Sequence, residues 1–116
     1  MDLEVLVGEF ADNVAAQRVA ILRADPNRGN KYAKKYIAAF ESLRNYGDKG
    51  RDALAKLLQD ERTEVRVTAA AYLLRHRHEE ARRVLEAASL GNDLVAFEAQ
   101  QALARWKDGT WGLDAK

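Results

Sequence analysis

The chain contains no cysteine. Disulfides, thiol nucleophiles and cysteine-ligated metal sites are therefore excluded together. Neither sign of charge dominates: 19 Lys and Arg face 18 Asp and Glu, for a formal charge of +1. That balance argues against a general nucleic-acid binder, which carries a basic excess, but it leaves room for a local basic patch. No apolar run approaches the roughly 18 residues of a membrane span. The opening "MDLEVLVGEFADN" is acidic and soon polar, without the basic start and apolar stretch of a secretory signal. A cytoplasmic protein with no membrane partner is the expectation. No stretch alternates long enough to argue a strand.

What is present is helix. Of the 116 residues 47% are hydrophobic, enough for one domain with a real core. Leu3, Leu6, Val7, Phe10, Val14, Ile21 and Leu22 recur at mostly helical spacing, predicting a first helix over about 2–24. "ADPNRGN" is read as its end, with the single proline, Pro26, restricting Asp25. A second helix is expected from Asn30 to Tyr46, with Gly47 as its cap. A third restarts near Asp48 or Gly50 and carries Leu54, Leu57 and Leu58. A fourth runs from Thr63, read as its N-cap, to His76. A fifth covers His78 to Ser89, and a sixth about Asp93 to Trp106. The final segment, 107–116, reads as a non-helical tail in which Trp111 and Leu113 are able to pack back.

The stretch "LLQDERTEVRVTAAAYLL", Leu57 to Leu74, joins a polar turn to an Ala-rich apolar run, and it is repeated. An offset of 30 residues places Val65 on Val95, Ala69 on Ala99, Leu73 on Leu103 and Arg75 on Arg105. Leu54 and Leu58 fall on Val84 and Ala88. The prediction is an all-α fold of about six helices in three antiparallel pairs, over about 2–46, 50–76 and 78–106. Leu57, Leu58, Asp60, Val65, Arg66, Ala69, Ala70 and Leu73 resemble a HEAT-like repeat, whose second helix opens with Val-Arg and continues through paired alanines. The second copy departs from it, with Ala96 at the Arg66 position and Gln100 at the Ala70 position. The resemblance implies a short HEAT-like alpha-alpha superhelix, with terminal divergence of the kind capping repeats show. From Tyr46 to Gly109, "YGDKGRDALAKLLQDERTEVRVTAAAYLL", "EEARRVLEAA" and "FEAQQALARWKDG" are also similar to the bacterial domain of unknown function 2019 family. That resemblance implies a small HEAT-like domain and brings no catalytic residues with it.

No catalytic constellation emerges. His76 and His78 are two positions apart, about 200° around a helix, and no third ligand is specified. Their blander reading is a place at a helix C-terminus. The acidic pairs Glu61 with Glu64 and Glu79 with Glu80 suit helix starts. Ser42 and Ser89, the two serines, lie in no nucleophile elbow. No metal, cofactor or enzymatic activity is expected. Arg66 is expected to brace Asp60 or a neighbouring turn.

Two surfaces offer leads. With Val65, Ala69, Ala70 and Leu73 turned inward, Val67, Ala71 and Arg75 occupy the other side of the fourth helix. Phe97, Gln101 and Arg105 hold the comparable side of the sixth. Together they compose a protein-binding strip, an aromatic anchor edged by arginine. The alternative for Phe97 is packing beneath a neighbouring helix or against Trp111, and Trp106 has the same two readings. The second lead is basic. Residues 27–56 hold eight bases and three acids, with Arg28, Lys31, Lys34 and Lys35 the densest group and Tyr32 and Tyr36 between them. Such a mixture suits an acidic protein or stacked nucleic acid, or is simply a solvated face. The leading expectation is a non-catalytic protein-binding module, in a specific form an immunity or antitoxin-type protein. The alternatives are a nucleic-acid-binding helical-repeat protein and a structural homo-oligomer.

Overall fold

The computed structural model describes residues 2–114. Those residues form six α-helices and one 3-10 turn, with no strand among them. The helices are α1 (Leu3–Leu22), α2 (Pro26–Arg44), α3 (Asp48–Ala55), α4 (Thr63–Leu73), α5 (His78–Ser89) and α6 (Leu94–Lys107). They group into two compact units, Met1–Leu57 and Leu58–Lys116. Residues 115 and 116 of the expected tail lie outside the described residues.

In the first unit, α1 packs against α2, and α3 packs on both. Asp2 caps α1, accepting from the Glu4 amide at 2.9 Å, so a donor at the helix start is satisfied. The α1–α2 junction differs from the expected one. Pro26 does not lie in a loop but is the first residue of α2, and Asp25 caps it through the Arg28 amide at 3.1 Å. The first turn of a helix needs no amide from that position, so proline is at home there. The second helix therefore starts four residues before Asn30. Gly47 is also reassigned: its φ of 61° is at the N-cap of α3, while α2 has already ended at Arg44. Gly50 fixes how α3 sits. A Cβ there would lie 1.8 Å from the Leu43 carbonyl oxygen, so only glycine lets α3 meet the end of α2. Phe10, Val14, Phe40, Leu43 and Leu54 are the bulk of the buried side chains.

The second unit packs α4, α5 and α6 mutually. Its interior is small-residue rich: Ala69, Ala70, Ala81, Ala96, Ala99 and Ala102 are buried beside Val65, Leu73, Leu74 and Leu85. Short side chains let helix axes approach to the near end of the usual ~8–10 Å. The 30-residue offset holds for Ala69 and Ala99, both fully buried, and fails at Gln100, which is exposed and donates to the Ser89 carbonyl at 2.8 Å. The expected middle pair, 50–76, is distributed over both units, α3 in the first and α4 in the second.

Three local expectations change in the second unit. Arg62, with extended backbone, holds the N-cap position of α4, and Thr63 is its first residue. α4 ends at Leu73, because the His76 and Arg77 amides both turn back to the Leu73 carbonyl, at 3.2 and 2.7 Å. His78 opens α5, so it lies at a helix N-terminus and not a C-terminus. Asp93, and not its neighbour Asn92, caps α6, accepting from the Ala96 amide at 2.9 Å.

Candidate functional site

The turn before α4 is built from charge. Asp60 accepts from the Arg62 amide and Nε, both at 2.9 Å, and from Arg62 Nη2 at 3.1 Å. The Arg62 side-chain hydrogen bonds hold the Asp60 carboxyl below the ordinary carboxylate range, against a smaller opposing push from burial. Arg66 braces the same turn by another route. Its Nη1 donates to the Asp60 and Glu61 carbonyls at 2.6 and 3.2 Å, and its Nη2 to Thr63 Oγ1 at 3.0 Å. It thus grips the backbone rather than the Asp60 carboxylate. Glu79, with Arg82 bonded to it, and Asp108, bonded by Thr110, are also held below their usual values. Each of these shifts favours the charged form, the direction that ion pairs and turns impose.

The expected strip across α4 and α6 separates into two halves. On α4 the strip is not an open surface. Val67 is only 4% exposed, because α4 is apolar around most of its circumference, with Val65, Ala69, Ala70, Tyr72 and Leu73 buried as well. A helix apolar around most of its circumference is covered around most of it. Ala71 lies half-buried, and its carbonyl accepts from the Trp111 indole at 3.0 Å. Arg75 donates to the Trp111 carbonyl at 2.6 Å, and its guanidinium lies 5.6 Å from the centre of the Trp106 ring. Val67, Ala71 and Arg75 therefore belong to the packed interior and its tail.

On α6 the strip is open. Phe97 is 55% exposed, and Gln101 and Arg105 are exposed with it. Leu94, which is absent from the expected strip, is 41% exposed and lies one turn before Phe97. The spacing 94, 97, 101 and 105 is the signal that could have found it, since those positions share one helix face. Leu90, in the α5–α6 turn, is 88% exposed. Trp106 is half-buried, stacked on His78 with ring centres 5.1 Å apart and an interplanar angle of 29°.

The histidines are apart in role. His76 Nε2 lies 3.2 Å from the Asp114 carbonyl and 3.6 Å from its carboxylate, tying the tail to the end of α4. Among the described residues no three or more His, Cys, Asp or Glu side chains are arranged to hold a metal.

The basic group lies on α2. Lys31, Lys34 and Lys35 are exposed, whereas Arg28 reaches back to Asp25 at 3.5 Å. Lys35 Nζ is 6.0 Å from the Tyr32 ring centre, and Tyr36 meets the buried Phe10 edge-on at 5.6 Å. Tyr36 is thus engaged with the core and is not a flat platform for a base. No helix is long and apolar enough to cross a membrane among the described residues.

The chain is similar to the crystal structure of the protein RPA1889 from Rhodopseudomonas palustris CGA009. The two share 27% identity with a TM-score of 0.89, over 97% of this chain and 93% of that one. No protein-family model and no curated protein matches the chain. The fold is a small all-helical one that the two chains share over nearly their full length.

Proposed function

We propose that the protein is a non-catalytic protein-binding module of the HEAT-like type, similar to the domain of unknown function 2019 family, and that it binds through the outward face of α6. The observation that carries this reading is Phe97, 55% exposed with Leu94 one turn away and Gln101 and Arg105 following on the same face. Burying a large apolar side chain fully is worth ~1.5–3 kcal/mol, and an exposed aromatic beside arginine is the composition of an interface anchor. The specific form of the reading is an immunity or antitoxin-type protein of the bacterial cytoplasm, which holds a toxin by shape and covers its active site.

A tagged full-length chain, purified from its native host with nuclease treatment, tests this. A single stoichiometric protein partner that is lost in the still-folded double variant Phe97→Ala, Arg105→Ala supports the reading. Recovery of nuclease-sensitive nucleic acid in place of a protein overturns it. It would also promote Lys31, Lys34 and Lys35, the exposed lysines of α2.

A further inference from the structure

A second surface of the unit Leu58–Lys116 uses none of the α6 residues above. A groove of about 470 Å³ opens between the start of α4, the end of α5 and the start of α6. Leu58, Val84, Ala88 and Val95 supply aliphatic lining, and Arg66 and Arg83 supply charge. Asp93, the one carboxylate among the described residues of the lining, is committed to capping α6 through the Ala96 amide.

The hydrogen-bond partners of the two arginines decide what fits. Arg66 bonds two backbone carbonyls and a hydroxyl, all neutral acceptors, while the nearby Asp60 carboxylate is bonded by Arg62. Its positive charge is therefore held in place without a carboxylate in bonding contact. A guanidinium already fixed by such bonds loses little further freedom when it meets an anion. Arg83 is exposed on α5. Of the carboxylates within a turn of it on that helix, Glu79 and Glu86 are hydrogen-bonded by Arg82, at 3.1 Å and 2.9 Å, Arg83 acts on Glu79 only through space, and Glu80 is exposed to solvent. The groove thus presents two arginines and an aliphatic wall against one occupied carboxylate.

We propose that this groove receives an acidic, aliphatic segment of a partner protein. A carboxylate of the segment meets Arg66 and Arg83, and an adjoining Leu, Ile or Val side chain covers Leu58, Val84 and Val95. Charge complementarity selects the acid, and the aliphatic lining selects a peptide over a sugar-phosphate chain, which offers no apolar side chain to bury. The proposal shares only the class of partner with the α6 reading.

The test pans a phage-displayed library of random dodecapeptides on the full chain and measures one enriched, labelled peptide against variants. Both substitutions lie at exposed α5 positions: Arg83→Glu reverses a charge, and Ala87→Trp fills the groove without altering its charge. The expected result is enrichment of Asp or Glu beside Leu, Ile or Val. Affinity should fall at least about tenfold in each α5 variant and stay unchanged in Phe97→Ala. Enrichment without acids, no enrichment, or acidic peptides indifferent to both α5 variants overturns the proposal. Peptides lost only in Phe97→Ala also overturn it and leave the α6 reading standing. Failure of the α6 reading, in turn, leaves the Arg83→Glu result untouched.

Discussion

The Trp111 indole donates to the Ala71 carbonyl across 40 residues of sequence, at 3.0 Å. Ala71 stands in the last turn of α4, where carbonyls have no partner within the helix. The tail thus completes the end of a helix it does not belong to. Arg75, from the end of α4, returns the contact by donating to the Trp111 carbonyl at 2.6 Å. Gly109, at φ 81°, turns the chain out of α6 to begin this return, a conformation glycine adopts without a Cβ penalty.

Trp111→Phe keeps most of the ring and removes the donor, leaving the Ala71 carbonyl unpaired. The expected loss is about 1 kcal/mol of unfolding free energy. Trp111→Ala removes the packing too and should cost roughly 2–4 kcal/mol. Urea unfolding of both variants checks the order. Equal stabilities for the two would show that the ring contributes nothing beyond its hydrogen bond.

The Asp60 turn sets an acid dependence. Its carboxyl is held low mainly by the Arg62 hydrogen bonds, so the folded value lies below the unfolded one of about 3.9. A depressed carboxylate contributes stability that is present in full above the unfolded value. That contribution is lost as the pH falls through the folded value. Asp60→Asn should therefore lower stability by on the order of 1 kcal/mol at neutral pH, a modest figure because Arg62 is partly solvated. The gap between wild type and variant should begin to narrow below about pH 4 and vanish once the pH lies below the folded value. Denaturant midpoints across pH read it directly, and a gap that persists in acid would contradict the assignment.

Two glycines in helices should respond in opposite directions. Gly50→Ala drives a Cβ into the Leu43 carbonyl and should destabilise by roughly 3 kcal/mol, since backbone has to move. Gly8, within α1, has nothing within 4 Å of where a Cβ would stand, so Gly8→Ala should stabilise by about 0.4–1 kcal/mol. Thermal unfolding of the two variants separates them, and a shared sign would refute the account of the α2–α3 contact.

Ala24 carries the left-handed backbone at the end of α1, φ 56°, a place glycine usually takes. The Asp25 amide reaches the Ala20 carbonyl at 2.9 Å and the Ala24 amide reaches Ile21 at 3.0 Å, the bonds of a helix stop. Ala24→Gly relieves a Cβ clash of ~1–2 kcal/mol, less the added freedom of the unfolded chain. A net gain of about 0.5–1 kcal/mol is expected in the midpoint of chemical unfolding. A loss would mean that the Ala24 methyl makes a compensating contact.

Much of the fold is legible in the chain because its signals are local. Periodic apolar positions locate the six helices among the described residues, and Asn92 or Asp93 suits the cap of α6, of which the structure uses Asp93. The start of α2 at Pro26 differs from the expected one by four residues and that of α4 by one, at positions where a proline or a threonine suits either side of a helix start. The α6 half of the candidate surface is legible for the same reason, since Phe97, Gln101 and Arg105 follow helical spacing. Only Leu94 was missed there.

The helical class and the 30-residue match of Val65, Ala69 and Leu73 to Val95, Ala99 and Leu103 are legible because each depends on residues close together in the chain, whereas the Arg62 grip on Asp60 is not, since the expected brace, Arg66, bonds the backbone instead. Tertiary structure alone decided which faces stay open. Val67, Ala71 and Arg75 form a surface only if α4 has one inward side. α4 is covered on several sides, and one cover is the tail led by Trp111. A helical wheel orders residues around an axis, but it carries no information about how many neighbours that axis has, or about a contact made 40 residues away.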